Sequence, residues 1–296
     1  MKISSLLILV FLATLLISAC EDVIQVNVTP ATEQLAVDAF INNNSTRQTI
    51  RLNQTVPYFF EGDAPTVGGA KVTLKNRTTG REFVFEDTKA GGIYAWQPVG
   101  KESIGTTGNA FLLTVQYQNE TFTAESSLNR TTKVDSITYG FREKGFGEAK
   151  EGYYAEFYGR DLPGQKDFYW IRSYRNSRYQ SRILTYATNG IGGTDNNNGS
   201  DGFPFIPPIR GGINFDRDPY QLGDTIRVEI WSINQETLDF FIQAESQINN
   251  GGLFARPPEN VRSNLKNTNP TSKIKATGWF NTSVVLGLGV LVTEEK

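Results

Sequence analysis

The sequence predicts a mainly β protein: an immunoglobulin-like or prealbumin-like β-sandwich followed by a second β-rich domain with one α-helix. Three observations carry this reading. Apolar residues alternate with polar ones in short runs, the period of a half-buried strand. Turn-forming residues separate those runs at short spacing, the rhythm of a sandwich. Only one segment, at about 234–249, repeats its apolar residues at helical spacing.

Residues 34–128 make the first domain. Leu35, Val37, Ala39 and Ile41 alternate, and Ile50 with Leu52 repeats the pattern. Val72 with Leu74, Phe83 with Phe85, and Tyr94 with Trp96 follow. Phe111, Leu113, Val115 and Tyr117 form the cleanest set, and Phe122 with Ala124 closes the series. Turn residues lie between, at 76–80, 91–92, 105–109 and 118–119.

Residues 133–292 make the second. Strands are expected at 136–141, 153–158, 168–175, 180–187 and 224–231. The helix comes next. Ser232-Ile233-Asn234-Gln235 reads as a capping box, and Leu238, Phe241, Ile242 and Ile248 as the apolar stripe. Asn249-Asn250-Gly251-Gly252 is the stop. Two final strands are expected at 276–281 and 284–292. Residues 189–212, rich in Gly, Asn and Pro, read as a long loop, and loops of that length often carry function.

Residues 1–19 read as a cleaved export signal. Lys2 supplies the positive charge, an apolar run extends from Leu6 to Ile17, and small residues precede Cys20. The run stops at Glu21-Asp22, short of the roughly 20 apolar residues that a spanning helix needs. Leu16-Ile17-Ser18-Ala19-Cys20 resembles a bacterial lipobox, which makes Cys20 the lipid-modified first residue of the mature chain. The alternative is an ordinary signal peptide with a chance cysteine. Residues 20–33 would then be the anchor and tether. The expected location is a membrane surface, with the chain lipid-anchored through Cys20.

Composition narrows the chemistry. The chain holds one Cys and no His. A disulfide within one chain is therefore impossible, and Ser-His-Asp or Cys-His catalysis is excluded. No metal and no cofactor is expected, since the usual zinc ligands are missing. The net charge is -2, with no block of like charge, which argues against nucleic acid as a partner.

What remains is a cluster of aromatic and basic residues between 153 and 182. Tyr154, Tyr158, Trp170 and Tyr174, with Arg172, are the candidate binding residues. Rings of this kind stack on sugars or line protein interfaces, and equally they pack strands. Arg172, Arg175, Arg178 and Arg182 interleave with them, either to meet an anionic glycan or as a solvated face. Asp161, Asp167, Asp216, Asp218 and Asp224 offer carboxylates for a glycosidase pair. The same aspartates read as turn and loop residues, and no catalytic residue is assigned.

Several stretches carry a resemblance. They are Cys20-Glu21-Asp22-Val23-Ile24, Leu35-Ala36-Val37, Ile50-Arg51-Leu52, Pro57-Tyr58-Phe59 and Val67-Gly68-Gly69-Ala70-Lys71-Val72. Leu222-Gly223-Asp224-Thr225-Ile226-Arg227-Val228, Pro257-Pro258-Glu259-Asn260-Val261, Asn264 and Gly278-Trp279-Phe280 complete the set. On these the chain resembles the Bacteroidetes outer-membrane lipoproteins grouped as domain-of-unknown-function family 4249. The resemblance implies an outer-membrane lipoprotein, on either the periplasmic or the cell-surface face, working beside a TonB-dependent transporter; the leading reading is a non-enzymatic accessory or binding component in uptake or envelope assembly, and the aromatic and basic residues leave a glycan as possible ligand. It brings no catalytic residues with it. Asp135-Ser136-Ile137 and Asp224-Thr225-Ile226 also resemble the Bacteroidetes O-glycosylation pattern, which marks Ser136 and Thr225. The alternatives are a surface enzyme acting on glycans through carboxylates, and a structural adhesin.

Overall fold

The computed structural model describes residues 32–294, apart from 58–59, 89–90, 145–149, 188–201, 203, 205–212, 215–217 and 251–259. The fold is mainly β. Its strands are β1 (Leu35–Asn42), β2 (Gln48–Gln54), β3 (Lys71–Asn76), β4 (Glu82–Asp87), β5 (Ile93–Trp96), β6 (Ala110–Tyr117) and β7 (Glu120–Ser127). After these come β8 (Val134–Arg142), β9 (Gly152–Gly159), β10 (Phe168–Arg175), β11 (Arg178–Ala187) and β12 (Thr225–Ile233). The helix α1 (Gln235–Ile248) precedes β13 (Lys266–Asn267), β14 (Ala276–Ser283) and β15 (Val285–Leu291).

Nine strands form one sheet in the order β13-β7-β6-β3-β4-β5-β2-β1-β14. The sheet curls until its ends nearly meet. The Thr282 amide of β14 donates to Ser126 Oγ of β7 at 2.8 Å, and Asn129 bridges Ser283 in parallel. One-sided alternation drives the curl: in β1, β3, β4, β6 and β7 every second side chain is buried inside. Phe83, Phe111, Phe122, Phe280, Ile41, Ile50 and Leu74 fill the interior. Burying each contributes about 1.5–3 kcal/mol.

The sequence groups β13 and β14 with the later residues, yet both complete the sheet of the first seven strands. β14 pairs with β1 in parallel from Leu35↔Ala276 to Asn42↔Ser283. No local turn can join parallel neighbours, so the pairing is invisible to periodicity. Gly278 permits it: the residue has φ +99°, and a Cβ there would collide with the Val37 carbonyl of β1.

A second sheet has the order β11-β10-β12-β15. The chain steps into it directly from β14 through Val284. Both faces are covered. Tyr169, Ile171, Ile226, Val228 and Ile230 meet Ile137, Ala155 and Phe157 of the β8–β9 hairpin. Trp170, Trp231 and Ile233 meet Leu238 and Phe241 of α1, with Phe40 from the outer side of β1.

The helix differs from expectation in two details. Its N-cap is Asn234, whose Oδ1 accepts the Thr237 amide at 2.8 Å. Ser232 instead belongs to β12, and its Oγ accepts the Val284 amide. The buried face consists of Thr237, Leu238 and Phe241, whereas Ile242 and Ile248 are exposed. α1 also packs on β14, where Phe240 stacks on Trp279 at 4.7 Å and the Trp279 indole donates to Thr237 Oγ1 at 2.9 Å.

Candidate functional site

β10 and β12 run antiparallel with Trp170 opposite Trp231, Arg172 opposite Glu229 and Tyr174 opposite Arg227. Period two places all six on one face. Tyr179 joins them through its pairing with Tyr174. α1 covers the tryptophan row but not the rows below it.

Arg172 stands at the centre. Its guanidinium carbon lies 4.3 Å from the ring centroid of Tyr179, 4.6 Å from Trp170, 4.6 Å from Trp231 and 5.6 Å from Tyr174. Each such contact contributes about 0.5–2 kcal/mol. No described carboxylate forms a salt bridge with it. Among the described residues its buried Nε–H finds no acceptor, nor does the Trp170 indole N–H. A buried donor left without a partner costs about 1–3 kcal/mol, so this face withholds a hydrogen bond that most folds would make.

Glu229 is the opposite case. It accepts from Tyr174 Oη at 3.0 Å, Trp231 Nε1 at 2.9 Å and Arg227 Nε at 2.9 Å. Its room depends on Gly287 of β15, where a Cβ would sit 2.9 Å from Glu229 Cγ. Burial pushes the Tyr174 hydroxyl well above its ordinary range, with Arg172 opposing and Glu229 adding. Asp38 of β1 faces the same space, beside Arg51. Solvent reaches it, but crowding still raises its carboxyl pKa against the pull of Arg51 and Arg172.

Of the five sequence candidates, Trp170, Arg172 and Tyr174 come together here. Tyr154 and Tyr158 do not. Both lie on β9: Tyr154 is buried, donates to the Lys150 carbonyl at 2.7 Å and lies under Arg142 at 4.8 Å. Tyr158 is exposed and donates to Glu156. Tyr169 and Trp170 point to opposite faces of β10, and each meets a covering layer. Glu229, Trp231 and Asp38 escaped the sequence reading. Alternation along β12 places Trp231 beside Arg227 and Glu229 on its more polar face, the one signal available.

The other basic and acidic candidates are engaged elsewhere. Arg175 faces away from Arg172 and pairs with Asp224 at 2.6 Å and Asp218 at 3.1 Å. Asp224 also accepts from Asn176 at 2.6 Å and the Gln221 amide at 2.8 Å. Asp167 is buried against Arg130, which also donates to the carbonyls of Leu162 and Pro163. Asp161 accepts from Tyr169 Oη at 2.9 Å and the Gly202 amide at 3.3 Å. Ser136 and Thr225 are exposed, and the Thr225 hydroxyl donates to Asn176. Among the described residues no cluster of acids, His or Cys could hold a metal, and no helix is long and apolar enough to cross a membrane. Cys20 and Asp216 lie outside the described residues, as does the 189–212 loop apart from Gly202, Pro204, and nothing else in it.

The family model described as "Domain of unknown function (DUF4249)" matches residues 21–286. The chain belongs to this family. No curated protein matches it. The DUF4249 match takes in every strand of the nine-stranded sheet and all the residues around Arg172, and it ends inside β15.

Proposed function

We propose that the chain is a non-enzymatic, lipid-anchored outer-membrane protein of the Bacteroidetes that binds an acidic glycan beside a TonB-dependent transporter. Arg172 carries the reading. Four rings hold its guanidinium in place and its Nε–H lacks an acceptor among the described residues, so the cation is oriented in advance for a ligand oxyanion. Arg227, Asp38 and the Tyr174 and Tyr179 hydroxyls stand around it and suit the hydroxyls of a sugar. In this reading residues 34–128, the sandwich-type part, support the site, and 133–292 present it.

The lipobox-like sequence ending at Cys20 supports anchoring. Each buried methylene of an acyl chain contributes about 0.8 kcal/mol, and two or more chains hold a protein stably. Ser136, exposed on β8, is the better acceptor for O-glycosylation, since the Thr225 hydroxyl already serves Asn176.

The test is calorimetric titration with uronic-acid or sulfated oligosaccharides and their neutral counterparts. Wild-type protein should bind only the acidic set, and Arg172→Gln should lose that binding while keeping its thermal midpoint within a few degrees. Equal binding by the variant would remove Arg172 from the site. For the partner, crosslinked pull-down from native membranes should recover a transporter barrel with wild type and not with Cys20→Ser.

A further inference from the structure

Strand β15 is an edge of its sheet, and its sequence is Val-Leu-Gly-Leu-Gly-Val-Leu. Proteins usually protect such edges with lysine, proline, a bulge or a covering segment. β15 has no charged residue and no proline, its pairing with β12 shows no register shift, and Leu286 and Leu291 are 43% and 53% exposed. Among the described residues no backbone pairs with its outer side.

The ladder tells which groups face outward. Ser232 donates to the Val284 carbonyl, and the Val292 amide donates to the Asp224 carbonyl. Residues alternate in an antiparallel ladder, so 286, 288 and 290 also bond to β12, and 285, 287, 289 and 291 point away. Two of the outward groups are already satisfied within the chain. The Val285 amide donates to Asn43 Oδ1 at 3.0 Å, and the Leu291 carbonyl accepts from Tyr139 Oη at 3.1 Å. The groups left are the Val285 carbonyl, both groups of Gly287 and Gly289, and the Leu291 amide.

We infer that β15 is the interface of a two-fold symmetric dimer, in which two copies of this chain join their sheets edge to edge through antiparallel β15 strands centred on Leu288. The occupant follows from the pattern of free groups. A two-fold axis at Leu288 sets Gly287 against Gly289 of the second copy and Val285 against Leu291. Every free donor then meets a free acceptor. The two groups already satisfied, the Val285 amide and the Leu291 carbonyl, fall opposite each other, so neither is left wanting. The glycines keep one face clear, and Leu286, Leu288 and Val290 meet on the other. A strand of unrelated sequence has no reason to match this spacing of free and satisfied groups. Contact limited to one strand buries less than the roughly 1,600 Å² of a standard interface, so the dimer depends on concentration.

Cysteine crosslinking of the full chain reads the register. Leu288 would face its own copy as a non-hydrogen-bonded pair, with Cα atoms about 4.5 Å apart, within disulfide range. Leu286 would lie about 13 Å from its own copy, four residues away along the strand. In a Cys20→Ser background, oxidation should therefore give a disulfide dimer with Leu288→Cys, and none with Leu286→Cys or with the background chain, which then holds no thiol. Adding Gly289→Pro should abolish that dimer, because it removes an outward amide and no bond to β12. Should that variant misfold, Leu286→Lys in the Leu288→Cys background should suppress the dimer by placing a charge on the seam. Equal yields at 286 and 288, or no crosslink at 288 together with monomeric sedimentation of the parent chain, would overturn the proposal.

Discussion

The nine-stranded sheet and the face of β10 and β12 below α1 bury their residues by opposite rules. Inside the curled sheet the packed side chains are apolar apart from the Tyr94 hydroxyl, which bonds to the Ala70 amide and the Val67 carbonyl, and buried Asn76 and Ser126 are hydrogen-bonded. Around Arg172 the sheet buries a carboxylate and a cation among rings. The first arrangement depends on area removed from water, which neither pH nor salt changes much. The second depends on charge and hydrogen bonds. The difference teaches where to look for function: apolar burial explains itself, whereas a partly buried arginine with no salt bridge among the described residues is the place to test.

Breaking the curled sheet should give the largest effect. Phe280→Ala, in β14, should cost about 3–5 kcal/mol with unchanged acid sensitivity, measured by urea unfolding. A loss under about 1 kcal/mol would mean that β14 is not essential to the closed sheet. Arg130→Ala should come next, at about 3 kcal/mol, because it takes the guanidinium away from the buried Asp167 carboxylate. Gly278→Ala should cost about 1–3 kcal/mol from its positive φ and the Val37 carbonyl. Recovery of full stability there would show that β1 and β14 can separate cheaply.

Asp224 sharpens the contrast further. Burial opposes its ionisation, but the Gln221 amide, Asn176 and Arg175 together hold its carboxyl below 3.8. The folded pKa is depressed, so its contribution is present above the unfolded value of 3.8 and fades as pH falls through the folded one. The stability gap between wild type and Asp224→Asn should therefore narrow in acid; a gap independent of pH would count against the assignment. The smallest effect belongs to Arg77→Ala. Its pair with Glu125 is exposed at both ends, so the loss should stay below about 1 kcal/mol.

By itself the sequence determined the strands. Period-two patterning placed β1 to β7 and most later strands within a few residues of their observed bounds, since alternation is local and each strand has one buried side or two. It also placed the helix, though not its cap or the extent of its buried face. β13 was missed, being only Lys266–Asn267, too short to show a period. Trp170, Arg172 and Tyr174 were legible as a set because they alternate along one strand. Only the tertiary structure decided the rest. Parallel pairing of β1 with β14 joins residues more than two hundred positions apart, and no local rule encodes that. The same docking brings Phe40 and Asp38 toward Arg172, and β12 adds Glu229 and Trp231 from across the ladder. Side chains that meet across sheets leave no shared period in the chain, so the neighbours of Arg172 had to wait for the fold.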